Sequence, residues 1–103
     1  MNTKQMGYAI QTIDEWLEEH FPEIEPEKIE GNIHLVLNYE SDMITVAHLK
    51  HMIIEMTTMN NFEPDDQLTR EKLMRWLGFL QGALWSRGYF SLDTLREMNV
   101  VEK

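Results

Sequence analysis

The sequence predicts an all-α fold, or a mainly α fold with a short hairpin near residues 32–47, built as a small bundle of about four or five helices. Three observations predict it. Apolar residues recur at three- and four-residue steps from Met6 to Phe21 and again from Leu73 to Leu84. Asp, Ser, Thr, Pro and Gly stand where such segments should start and stop. Cysteine is absent, so neither a disulfide nor a thiolate site can replace a packed core. At 103 residues, 43% of them hydrophobic, the chain suits one domain, residues 1–103, that buries roughly two-thirds of its unfolded surface.

The first helix carries Met6, Ala9, Ile10, Ile13, Trp16 and Leu17 on one side and Asp14, Glu15, Glu18 and Glu19 on the other, and Pro22 ends it. In the next stretch, PEIEPEKIEG, Pro26 and Glu27 suit the first turn of a second helix, where proline loses no hydrogen bond and a carboxylate meets the helix dipole. Residues 29–39 read two ways. Ile29, Ile33, Val36 and Leu37 have helical spacing, while Ile33, Leu35, Leu37 and Tyr39 alternate as in a half-buried strand whose partner would be Met43–Ala47. Thr45 is placed to cap a helix running to about Thr58, with Leu49, Met52, Ile53 and Met56 inward.

Pro64, Asp65 and Asp66 mark the first turn of a long helix through LTREKLMRWLGFLQGALWSRG. Leu73, Trp76, Leu77, Leu80 and Leu84 line one side of it, and Met74, Phe79 and Trp85 widen the apolar surface until little polar face is left. Such a helix has to be covered on more than one side, as the central helix of the domain or partly by another chain. Gly88 stands where a left-handed C-cap is favoured, and Ser91 caps a last helix through about Met98.

No uncharged apolar run of about 18 residues and no basic-then-apolar leader is present, so a membrane partner is not expected and a cytoplasmic location is. The net charge of −9 is uneven: residues 1–30 hold eight acids and two bases, residues 62–103 seven and six. Direct nucleic-acid binding is therefore not expected, because phosphate binding needs clustered Lys and Arg. A dense acidic face that includes Asp14, Glu15, Glu18, Glu19, Glu23 and Glu27 would act by solvating the chain, by meeting a basic partner, or by imitating the phosphates of a nucleic acid for a DNA-binding enzyme.

Gly78 and Gly82 lie four apart inside the long helix, where each costs about 1 kcal/mol relative to alanine. Close approach of another helix of the domain would offset that cost, as would a ligand or second subunit lying against the groove. Together with Trp76, Phe79 and Trp85 they form the candidate protein-interaction surface, and a homodimer is one form it could take. Flexible thioethers and rigid rings favour adaptable contacts, and Met43, Met59 and Met98 sit at element ends where complete burial is hardest.

His48, His51 and Glu55 share one sector of a helix and are the only metal-ligand pattern, one that a solvated polar face explains equally. Ser41, Ser86 and Ser91 read as turn or cap residues, and no phosphate-cradling glycine loop occurs. No catalytic residue and no cofactor is predicted. A small metal-dependent enzyme built on the histidines remains the alternative from a different class.

The string LMRWLGFLQGALWSRGYFSLDTLREMN, residues 73–99, resembles a block of small uncharacterised accessory proteins of tailed bacteriophages. A basic residue precedes Trp-Leu-Gly (Arg75-Trp76-Leu77-Gly78), and Gln81-Gly82, Gly88, the capping Ser91 and Asn99 follow. The resemblance implies a protein made in the host cytoplasm during infection that acts by binding a host or phage protein, inhibition being one consequence of such binding.

Overall fold

The computed structural model describes residues 1–29, 39–62 and 65–99, and among them the chain forms four helices and no strand: α1 (Thr3–His20), α2 (Tyr39–Phe62), α3 (Gln67–Ser86) and α4 (Leu92–Asn99). The starts of α1, α3 and α4 each have a local cause. Asn2 caps α1 through a reciprocal pair in which its side chain accepts from the Gln5 amide at 2.8 Å and the Gln5 side chain accepts from the Asn2 amide at 2.8 Å. Asp66 caps α3 by accepting from the Thr69 amide at 2.9 Å, so that helix starts at Gln67 and leaves Asp65 and Asp66 outside it. Ser91 accepts from the Thr94 amide at 3.1 Å and starts α4.

At the other end of α3, Gly88 has φ +77°. Its amide donates to Trp85 O at 2.9 Å and the Tyr89 amide donates to Leu84 O at 2.9 Å, which is the double bond of a Schellman stop. The amphipathic period of α1 buries Met6, Ala9, Ile10, Ile13 and Leu17.

The central helix is α2, and this corrects the expectation that α3 holds that place. Val46, Ala47, Leu49, Lys50, Met52, Ile53, Met56 and Asn60 are all buried, a band spanning well over half of the α2 circumference, because α1 packs on one side of it and α3 on another. From α3 only Leu73, Leu77, Leu80 and Leu84 are buried, one face at three- and four-residue steps. The core closes with Ile24, Phe90, Leu95 and Met98.

Three further expectations change. Residues 24–29 are not helical: Pro26 and Glu27 open no helix, because the Glu27 amide donates to Ala47 O of α2 at 3.0 Å and that stretch lies along the bundle. Met43–Ala47, the second strand of the expected hairpin, is helical, and the choice between helix and strand for 30–38 lies outside the described residues. Thr45 caps nothing. It sits inside α2, where its hydroxyl accepts from Arg87 Nη2 at 2.9 Å, and Arg87 also pairs with Asp42. The helix runs on to Phe62, past the expected end near Thr58, because Asn60 is buried and tied to both neighbouring helices.

Met98 is also corrected. It is buried, with its sulfur 3.5 Å from Gln81 Nε2, and Met43 and Met59 pack against the core.

Candidate functional site

The turn of α3 away from its leucine row carries most of the candidate interaction surface. Residues 78, 79, 82 and 85 point away from the buried row by the 100° step of the helix, and all four are exposed. Phe79 is 58% and Trp85 53% accessible. A Cβ built on Gly78 or on Gly82 meets nothing within 4 Å. Among the described residues, then, no helix of the same domain approaches these glycines closely. Trp76 lies apart from the other four, half-buried at the edge of the face, with Lys72 Nζ 4.8 Å from its ring centroid.

Around this apolar strip the charges are balanced, with Glu71 and Arg75 four apart and both exposed. Gln81 ties the flank of α3 to α4 by a reciprocal amide pair with Asn99, at 2.8 and 3.2 Å.

His48, His51 and Glu55 do share one face of α2, but they do not converge. Among the described residues no group of three His, Asp or Glu side chains is arranged to hold a metal ion. The Ile29 amide donates to His48 Nδ1 at 3.1 Å, so that nitrogen is an acceptor and the ring proton sits on Nε2. His51 Nε2 lies 3.4 Å from a Glu55 oxygen. Burial first, then His51 and Lys28, hold the His48 imidazole below its ordinary pKa, with Glu55 opposing.

The acids do not form one solvated sheet. Glu18 is 3.4 Å from the ammonium of Lys50, and Glu15 accepts from Gln11 Nε2 at 2.7 Å. Asp14 is half-buried in a groove between α1 and α2, and its carboxyl is raised above the usual range by burial, then by Glu18 and Glu15, against Lys50. Glu19, Glu23 and Glu27 are exposed, the last two on the irregular stretch after α1.

Sequence reasoning missed the polar ties that hold the bundle together. Lys50, 3% accessible, donates to Phe21 O at 2.5 Å and Ile24 O at 2.8 Å, holding the end of α1 against α2. Its position, four after Val46 and three before Ile53, was the available signal. Asn60 donates to Thr3 O at 3.1 Å and accepts from Arg70 Nη1 at 2.6 Å, which joins three helices at one residue. Trp16 stacks on His20 at 4.2 Å between ring centroids and meets Tyr89 at 5.0 Å and Phe90 at 5.2 Å, so this tryptophan is bound up in the bundle while Trp85 is not.

Among the described residues no helix is long and apolar enough to cross a membrane. Comparison with family models, with curated proteins and with solved structures finds no match to this chain.

Proposed function

We propose that this chain is a non-enzymatic interaction protein that docks another protein on the outer face of α3. One observation carries the reading: two aromatic rings more than half exposed, Phe79 and Trp85, flank two helix-interior glycines whose missing side chains leave open space. Glycine inside a helix costs stability, and at these two positions no contact among the described residues repays it. A partner backbone laid between the rings would. Aromatic anchors around a small-residue floor are also the composition of well-packed interface centres.

The balanced charge of this face favours a partner with an apolar rather than a strongly basic surface, and the acidity of α1 lies elsewhere. The resemblance of residues 73–99 to phage accessory proteins supports a host or phage protein as that partner, with inhibition following if the docked surface is one the partner needs.

The test is a comparative capture from a lysate of the source cells using the wild-type chain and Gly82→Glu, which places a charged side chain on the floor of the face without touching the core. A protein retained by the wild type and lost with Gly82→Glu supports the reading. Equal retention by both chains overturns it. Light scattering on the purified chain resolves the other occupant, a second copy: a dimer that Gly82→Glu converts to monomer assigns the face to self-association instead of a foreign protein.

A further inference from the structure

A second surface, between α2 and α3, has the form of a small-molecule site. A groove of about 600 Å³ opens there, within the size range of ligand pockets. Its apolar wall is Trp76 and Phe79 from α3 with Met52 below, and its polar lining is Lys28, Lys72, His48 and His51, with Glu55 as its one acid.

This is an unusual concentration of basic side chains for this chain. Only nine lysines and arginines stand against eighteen acids overall, yet here two lysines and two imidazoles face one carboxylate. Glu55 is occupied by His51 at 3.4 Å. Among the described residues neither Lys28 nor Lys72 has a carboxylate within salt-bridge distance, and Lys72 rests over the Trp76 ring. Because His48 Nδ1 accepts from the Ile29 amide, its remaining ring nitrogen carries a proton and is a donor. The groove thus offers two ammonium groups without a paired carboxylate, and the N–H of a neutral imidazole, beside an aromatic wall.

We propose that the groove between α2 and α3 binds a small aromatic anion, its acid group neutralised by Lys28 and Lys72 and its ring laid against Trp76 and Phe79. An aromatic ring gains from offset contact with the two side chains, and a carboxylate or phosphate gains charge-assisted hydrogen bonds that a neutral isostere cannot make. The groove adjoins the glycine face and shares Phe79 with it, but its other groups do not overlap: Trp76 and Lys72 lie on the α2 side of the helix, and Gly82 and Trp85 turn away from it.

The experiment is a titration of the intact chain with 2-naphthoate, followed by NMR at the His48 and His51 ring protons and at the three tryptophan indole N–H groups. Saturable shifts are expected at His48, His51 and Trp76, with Trp16 and Trp85 unmoved. The neutral analogue 2-naphthamide should bind at least tenfold more weakly, and Lys28→Ala/Lys72→Ala should lower naphthoate affinity at least tenfold while far-UV circular dichroism stays unchanged. Both lysines are exposed, so the double variant keeps the core. Inorganic phosphate alone should bind more weakly than naphthoate, since it lacks a ring. The proposal is overturned by equal affinity for the amide and the acid, by an unchanged affinity in the double variant, by phosphate binding as tightly as naphthoate, or by shifts at Trp85 in place of Trp76. Failure of this titration leaves the glycine face untouched, because Gly82→Glu lies outside the groove.

Discussion

Replacing Gly78 and Gly82 by alanine should make the free protein more stable and its protein complex weaker. Both glycines sit inside α3, and the added methyl groups meet nothing within 4 Å. No steric term opposes the change, so helix propensity decides it at about 1 kcal/mol per site, or about 2 kcal/mol for the pair if the two add. For a domain of this size that is a rise of about 10 °C in Tm. Urea unfolding followed by circular dichroism measures it, and an unchanged slope with a higher midpoint identifies a gain in native stability. Gly88→Ala is the internal control. At φ +77° an alanine is strained in the left-handed region, and the same substitution should there cost about 1 kcal/mol. A loss of stability in Gly78→Ala or Gly82→Ala would refute the claim that these glycines face open space. A gain in stability with full retention of the partner would refute the reason proposed for their being glycine.

Lys50→Met should cost about 3 kcal/mol in urea unfolding, because it strands the Phe21 and Ile24 carbonyls in a buried place, and a cost below about 1 kcal/mol would show those carbonyls satisfied some other way. Asp14 titrates above 3.8 in the folded chain, so the folded state holds its proton more tightly than the unfolded state and stability falls as pH rises through that range. Asp14→Asn should therefore stabilise the chain more at pH 7 than at pH 3, as thermal melts at the two pH values would show. His48 has the opposite linkage: its folded pKa lies below 6.5, so its contribution is present above 6.5 and is lost as pH falls through the folded value. The stability profile of His48→Gln should be flatter than that of the wild type between pH 7 and 5.

How far the fold could be read from residues depended on whether local or tertiary terms decided each element. The buried face of α1 follows directly from the spacing of Met6, Ile10, Ile13 and Leu17, and α4 from the Ser91 cap, since periodicity and capping act within a few residues. Gly88 was legible for the same reason. The pair Asn2 and Gln5 also spells a cap, and reading the helix only from Met6 passed over it. The start and end of α2 were not legible, because Arg87 engages Asp42 and Thr45 from the far end of α3, and Asn60 is held by Thr3 and Arg70.

The rank of α3 was misread because apolar content does not distinguish a ring that is buried from one that is displayed. Leu68 is 74% accessible although it belongs to the same helix as the fully buried Leu73. At the candidate site the glycine pair could be picked out by its cost, but the direction it faces needed the packing. The groove was half legible: His48, His51 and Trp76 could be named, while Lys28 and Lys72 come to it from elements that only the fold places together.

The central claim is that a protein docks on the outer face of α3, and the three tryptophans form a built-in map for testing it. Trp85 lies on that face, while Trp16 is packed between α1 and the link to α4. The most direct measurement is the indole N–H spectrum of the chain with and without the captured partner, with Gly82→Glu mixed with the same partner as the non-binding control. The account predicts that Trp85 shifts while Trp16 keeps its position, and that Gly82→Glu abolishes the change. A complex in which Trp85 stays fixed and Trp16 moves would contradict it.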